Sequence, residues 1–360
     1  MDWEGKIYDY LLTYKKYEVR WRQKWVDYKK WIDFGRNWTP ASEKYYTEEE
    51  MLKEILEPCY KFLWVKLYSK DIIIIPFEPP VSGWLWQCDK VKYVGYVDLV
   101  NLSDIEYIDH GMFFSPDGTN LYVSGFLGRG NIFWFKLATP WDITTAIFQN
   151  TMNEDALGAI LGRPKSIYFS PDGNNYYTSV LKEDGTFFSQ ITLTNPWDIT
   201  TMYTHNGVRL NWFVYNINFN LDGTKLYLFG HDTFQYILVE YTLSTPWDIS
   251  TIVNLDGDVS LHLNEVPPDE VIDSLYFKPD GSGFYVATYS GDVLYYDLPT
   301  PWSLSDYIYK GICFNPKSIL NAIDIYPYGG TFNFFMSYNG KFAYVSFELG
   351  TQIFMFTSGT

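Results

Sequence analysis

Beyond residue 105 the apolar and aromatic positions fall in short runs closed by turn-forming residues, the pattern of strands and hairpins. In one stretch Ser166-Ile167-Tyr168-Phe169 reads as a strand and residues 175–180 as the next, with Ser170-Pro171-Asp172-Gly173 between them. Proline sets φ for the first central turn position, Asp tolerates the second, and Gly accepts positive φ. The two strands are therefore antiparallel neighbours joined by a tight turn. A third strand, 186–193, follows a Glu183-Asp184-Gly185 turn and is ended by Pro196, which cannot donate to a ladder. Asp198-Ile199-Thr200-Thr201 then opens a fourth, outer strand through a side-chain-to-backbone turn.

This order of elements repeats. Phe114-Ser115-Pro116-Asp117-Gly118 returns as 169–173, 219–223 and 277–281, and a worn copy closes the series at Ser337-Tyr338-Asn339-Gly340. A second phrase, Thr139-Pro140-Trp141-Asp142-Ile143-Thr144, is echoed at 195–200, 245–250 and 300–304. A period of about 50–60 residues marks a propeller, solenoid or array. Four antiparallel strands per period is the content of one propeller blade. The aromatic content of 20% suits blades packed face to face, with large rings filling the wedges.

The chain is thus expected to be mainly β: a β-propeller of five recognisable blades with a short N-terminal α-helical segment. The last blade lacks its outer strand, and residues 92–100, just ahead of the first repeat, read as the strand that closes the ring. A count of six also arises, and is slightly preferred, if residues 62–88 form a worn extra blade. The expected domains are 1–60, a helical attachment segment, and 61–360, the propeller, with clear repeats over 105–360.

Residues 5–34 have no strand alternation and no proline. Apolar and aromatic positions at Tyr10, Tyr14, Tyr17, Trp21, Trp25, Tyr28 and Ile32 step by three and four, which is one face of a helix. A second helix is expected from Thr47, with an acidic first turn. Residues 6–36 hold nine basic and four acidic residues, and 1–60 are close to neutral, so nearly all of the net charge of −16 falls on the propeller. A basic, aromatic helix of this kind suits docking to a protein partner, with Tyr14, Tyr17, Trp21, Trp25, Tyr28 and Trp31 as anchors. Folding back onto its own propeller is the alternative.

The acidic balance argues against a nucleic-acid partner, because phosphate binding needs a basic surface. No run approaches the ~20 apolar residues of a membrane span, and the opening Met1-Asp2-Trp3-Glu4 does not resemble a signal peptide. Cys59, Cys88 and Cys313 are odd in number and unrelated in spacing, so neither a disulfide framework nor a zinc site is expected, and synthesis in a reducing cytosol is.

The search for chemistry finds no candidate catalytic residue, metal site or cofactor motif. His110, His205, His231 and His262 stand at no ligand spacing and in no nucleophile motif. Asp117, Asp172, Asp222 and Asp280 offer one carboxylate per loop, which fits turn capping better than calcium binding. Trp141, Trp197, Trp247 and Trp302 read as packing anchors, with a ring of sugar-stacking tryptophans as the functional alternative. Residues repeated in every blade serve architecture, and function lies in what differs. The chain is not expected to be an enzyme.

The paired phrases, Phe-Ser-Pro-Asp-Gly-Thr-Asn-Leu-Tyr-Val at 114–123 and Thr-Pro-Trp-Asp-Ile-Ser/Thr, resemble the propeller repeats of tailed-phage virion and tail-fibre proteins. The Ser-Pro-Asp-Gly half alone is shared with other propellers; the combination is more specific. The resemblance covers about 105–310 and says nothing of 1–60. Departures are Ser303 in place of Asp in the fourth phrase and Leu221 in place of Pro in the third turn. The resemblance implies a non-enzymatic structural or adaptor protein, present in multiple copies in the virion. It would be made in the host cytoplasm and held to other virion proteins of tail or capsid. The alternative it leaves is a carbohydrate-binding propeller at a fibre tip that reads a host surface glycan, with the loops 149–165 and 254–273 as candidates. A propeller hydrolase is a third.

Overall fold

A computed structural model describes the backbone of strands β1 (Leu63–Tyr68) and β2 (Asp71–Pro76) and most of residues 86–360, short loop segments excepted. The chain divides into two compact units, Met1–Pro79 and Pro80–Thr360. The six docking anchors placed on the N-terminal helix lie outside the described residues, as do most of the two candidate glycan loops and the Glu183-Asp184 turn.

The second unit is a five-bladed β-propeller. Its first blade is β4 (Tyr107–Phe114), β5 (Asn120–Phe126), β6 (Gly130–Leu137) and β7 (Ala146–Met152). The second is β8 (Pro164–Phe169), β9 (Asn175–Lys182), β10 (Gly185–Leu193) and β11 (Met202–Leu210). The third is β12 (Phe213–Phe219), β13 (Lys225–His231), β14 (Tyr236–Thr242) and β15 (Val259–His262). The fourth is β16 (Ile272–Phe277), β17 (Gly283–Thr288), β18 (Val293–Asp297) and β19 (Ile308–Phe314). In the fifth, β20 (Thr331–Met336), β21 (Phe342–Phe347) and β22 (Gln352–Ser358) are completed by β3 (Val91–Asp98) from the other end of the chain. The innermost strands β4, β8, β12, β16 and β20 neighbour one another in cyclic order. The expected closing strand is therefore present, but the sixth blade is not. Among the described residues β1 and β2 pair only with each other, in a two-stranded sheet.

The two repeated phrases meet in space. Gly118, Gly173, Gly223 and Gly281 sit at φ of 71°, 70°, 70° and 71°, and a tryptophan ring lies flat against each. A Cβ at any of the four would come within 2.4 Å of that ring, so the turn glycine is needed both for its backbone conformation and for the approach. Trp141, Trp197, Trp247 and Trp302 themselves hold positive φ, between 61° and 68°. Each tryptophan N–H donates to the carbonyl of its glycine, at 2.9 to 3.0 Å. The left-handed turn keeps the tryptophan carbonyl out of any strand ladder, and the neighbouring blade uses it. Tyr122 Oη donates to the Trp197 carbonyl at 2.5 Å, Tyr177 to Trp247 at 2.6 Å, Tyr227 to Trp302 at 2.6 Å and Tyr344 to Trp141 at 2.6 Å. The same tyrosine rings contact the next blade's turn phenylalanine, as in Tyr122–Phe169 at 4.4 Å and Tyr344–Phe114 at 4.3 Å. Burial, with smaller contributions from nearby carboxylates, pushes all four phenols well above their ordinary range, so they remain protonated donors.

This latch links four of the five seams. At the seam between fourth and fifth blades, Tyr285 takes the tyrosine position, but the fifth blade has Met336 in place of the phenylalanine. Tyr285 packs there on Tyr295 at 4.9 Å and Phe334 at 5.8 Å. That seam has a covalent link instead: Cys88, just before β3, is disulfide-bonded to Cys313 in β19. The expectation of unpaired cysteines is corrected. The partners lie 225 residues apart and are brought together only by ring closure, so sequence spacing carried no trace of the pair.

Candidate functional site at the axial bulges

Within the innermost strands one backbone feature recurs while its side chains do not. Each strand slips register against its neighbour just after it begins, between Pro164 and Ser166, Val214 and Asn216, Ile272 and Ser274, and Thr331 and Asn333. The extra residues are Lys165, Tyr215, Asp273 and Phe332. In β4 the slip is wider, from Ile108 to Met112, and takes in Asp109, His110 and Gly111. Bulges re-aim side chains, and they gather at functional sites.

The residue after each bulge ties its blade to a neighbour. Leu275 N–H donates to Asn216 Oδ1, Phe334 N–H to Ser274 Oγ at 3.1 Å, and Asn333 Nδ2 to the Asp109 carbonyl at 2.5 Å. Ser179 Oγ, hydrogen-bonded to Ser166 Oγ at 2.6 Å, donates to the Val214 carbonyl at 3.0 Å. Four seams are thus bridged near the axis by neutral hydrogen bonds. The seam between first and second blades is bridged by charge.

There Lys165 Nζ lies 2.6 Å from Asp109 Oδ1, and His110 Nδ1 lies 2.7 Å from the same oxygen. The Asp109 side chain is only 5% exposed. Burial alone would raise its pKa. The His110 hydrogen bond, and the charges of His110 and Lys165, outweigh burial and hold the carboxyl well below the usual carboxylate range. An ionised carboxylate only accepts, so Nδ1 carries the proton in the Asp109–His110 bond. The 3.3 Å approach of Lys165 Nζ to Nδ1 is then two donors sharing one oxygen. The His110 ring stacks on Tyr215 of the third blade, centroids 5.4 Å apart and planes at 16°. Three blades therefore converge on one cluster of acid, imidazole, ammonium and phenol.

Chemically the cluster fixes an imidazole in one tautomer and orientation against a permanent carboxylate, with a cation beside it. Its first structural effect is to staple the first two blades. Asp109, His110 and Lys165 were not legible as a site when the sequence was read for histidine spacings. They appear once repeats are aligned on the turn, where the residue five places before each turn serine or its equivalent reads His110, Lys165, Tyr215, Asp273 and Phe332.

The residues predicted as anchors hold architectural positions. Asp117 Oδ1 accepts from Thr119 N at 3.0 Å and Ser115 Oγ at 2.6 Å, Asp172 Oδ1 from Asn174 N at 3.1 Å, Asp222 Oδ1 from Thr224 N at 3.0 Å, and Asp280 Oδ1 from Ser282 N at 3.0 Å. These carboxylates cap their own turns. The four tryptophans lie on the turn glycines, as described above.

A second repeated position lies on the perimeter. Six residues after each tryptophan stands a large apolar side chain open to solvent: Ile147 is 55% exposed, Tyr203 74%, Val253 65% and Ile308 44%. On the closing strand β3, Val94 and Tyr96 are exposed as well. Among the described residues no helix is long and apolar enough to cross a membrane.

The fold and these sites define the class: a five-bladed propeller with a repeated apolar rim and one ionic axial cluster. Compared with known proteins, the chain matches no family model and no curated protein.

Proposed function

We propose that this protein is a non-enzymatic structural or adaptor component of a tailed-phage particle, the propeller serving as a rigid interaction module and the N-terminal segment as its attachment. The apolar rim carries this reading. Repetition of Ile147, Tyr203, Val253 and Ile308 in successive blades marks the position as part of the repeat, yet their exposure means that folding of the ring does not require them. On this reading the apolar side chain repeated at an exposed position is a contact for a partner surface. The paired turn and tryptophan phrases add the resemblance to phage propellers, and seams latched by the same triad supply the rigidity that a display module needs. On this reading the partners are other virion proteins of tail or capsid.

The test is cryo-electron microscopy of intact particles from the source, with quantitation of the protein in them. Ring-shaped density at symmetry-related positions, with neighbouring protein against the rim, is the expected result. Absence of the protein from particles overturns the proposal. A second reading, a glycan-binding propeller at a fibre tip, draws on the exposed aromatic rings of Tyr203 and Tyr326, 74% and 71% exposed. Binding to host surface glycans that is lost in Tyr203→Ala or Tyr326→Ala would move that reading ahead.

A further inference from the structure

We propose that the Cys88–Cys313 disulfide is a redox-controlled clasp. In the dithiol form the ring is closed by non-covalent contacts alone, and oxidation then locks it. Three independent features meet at one seam. First, the fifth blade is assembled from both ends of the chain, with β3 held to β22 by ladder pairs from Val91↔Ser358 to Asp98↔Gln352. As the edge strand of its sheet, β3 has one ladder neighbour, β22. Second, this seam departs from the tyrosine–phenylalanine–tryptophan latch of the others, since Met336 replaces the phenylalanine. Third, the disulfide runs from the start of β3 to β19, the outer strand of the adjoining fourth blade, so it ties this edge strand to the blade it is least latched to.

The local packing is arranged around that bond. Trp86, buried and two residues before Cys88, packs at a tilt against Phe314, the neighbour of Cys313, with ring centroids 5.5 Å apart. Phe314 in turn contacts Phe334 and Phe356 of the fifth blade at 6.2 and 5.9 Å. These contacts place the two sulfurs together without requiring the bond between them. At the other end of β3, Thr351 Oγ1 donates to Asp98 Oδ1 at 2.6 Å, and Leu99 N–H donates to the Thr351 carbonyl at 2.9 Å. The strand is thus seated by non-covalent contacts at both ends, and the disulfide is the added covalent step.

That step is thiol–disulfide exchange. The Cys88 and Cys313 thiols lose their two protons and two electrons, and a small-molecule disulfide such as oxidised glutathione is reduced to two thiols as the protein S–S bond forms. A cell interior rich in thiols keeps the dithiol form, and an oxidising exterior gives the locked one.

The experiment uses the full-length chain with Cys59→Ser, so that only the relevant pair can react. Protein purified under reductant is divided, and one half is exchanged with oxidised glutathione. Non-reducing peptide mapping, amide hydrogen exchange and thermal unfolding are then measured on both. The oxidised half is expected to yield the Cys88–Cys313 peptide pair. The reduced half is expected to stay folded, with amides of Val91–Asp98 exchanging at least about tenfold faster and the other outer strands unchanged. Its midpoint should be lower by about 5–10 °C. Failure to form the pair, equal protection of β3 in both states, or uniform loss of protection in all five blades on reduction would each overturn the proposal. Reducing protein that is already folded avoids reliance on Cys88→Ser or Cys313→Ser chains, which must fold without the bond.

Discussion

Tryptophan at positive φ is costly for a side chain with a Cβ, roughly 1–2 kcal/mol. The four tryptophans accept that cost because each buries a large ring against a bare glycine and a phenylalanine, at 5.3 Å from Phe169 for Trp197 and 5.0 Å from Phe219 for Trp247. Burying ~150–250 Å² of ring at ~25 cal/mol per Å² is worth about 4–6 kcal/mol, so packing wins. Gly223→Ala meets both a wrong φ and a ring 2.3 Å away, and should lower stability by at least about 2 kcal/mol in urea unfolding. Tyr177→Phe removes one hydroxyl and leaves the Trp247 carbonyl without that donor; a loss of about 1–3 kcal/mol is expected with the fold intact. Asp109→Asn should cost about 3–5 kcal/mol near neutral pH, because Lys165 loses its buried counter-charge. The sign of the pH dependence follows from the depressed carboxyl. Its stabilisation is complete above the ordinary carboxylate pKa near ~4 and is lost as pH falls from there through the lower folded value. Denaturation of wild type and variant measured from pH 7 downward should therefore converge in acid.

At the scale of elements, a capped 3-10 turn precedes the outer strand in each of the first four blades. Asp142, Asp198 and Asp248 each accept from the N–H two residues on, at 3.0 Å. Ser303, the departure in the fourth phrase, still caps Ser305 N–H, at 3.4 Å, and the third turn closes with Leu221 in the proline position, Gly223 N–H to the Asn220 carbonyl at 3.1 Å. Asp248→Ala should cost about 1 kcal/mol, read from the thermal midpoint, without detaching the third blade. These elements were legible because each is local: turn chemistry, a proline stop and a cap lie within a few residues of what they govern. The strand expected at 175–180, which runs to Lys182, and the turn before it are placed on those grounds, whereas the closing strand near residue 92 follows from the need to complete the last blade. What escaped was non-local. The hairpin of β1 and β2 has the composition of blade strands, and composition does not say which sheet a strand joins. The disulfide joins residues from opposite ends of the chain. The Asp109–His110–Lys165 cluster is scattered over two repeats in sequence, and only the aligned bulges bring it to one place.

At the scale of the molecule, the rim separates folding from contact. Replacing Ile147, Tyr203, Val253 and Ile308 together by serine should leave the unfolding midpoint within a few degrees of wild type, since exposed positions contribute little to the core. On the proposed phage-particle reading, the same variant should fail to enter particles when it complements a phage lacking the protein. Normal incorporation would remove the rim from the argument for partner contact. The position of Cys88 has one more consequence, and it concerns force. Along the backbone Cys88 precedes β3, so tension drawn through the chain from its N-terminal side meets the packed Trp86 and then the Cys88 sulfur before it meets β3. The bond diverts the load into β19, and the β3–β22 ladder, which would otherwise be peeled one pair at a time, is shielded. Pulled from its N-terminus in a single-molecule trap, the oxidised protein should lengthen only at high force, and the reduced one should first release a short, low-force extension the length of one strand.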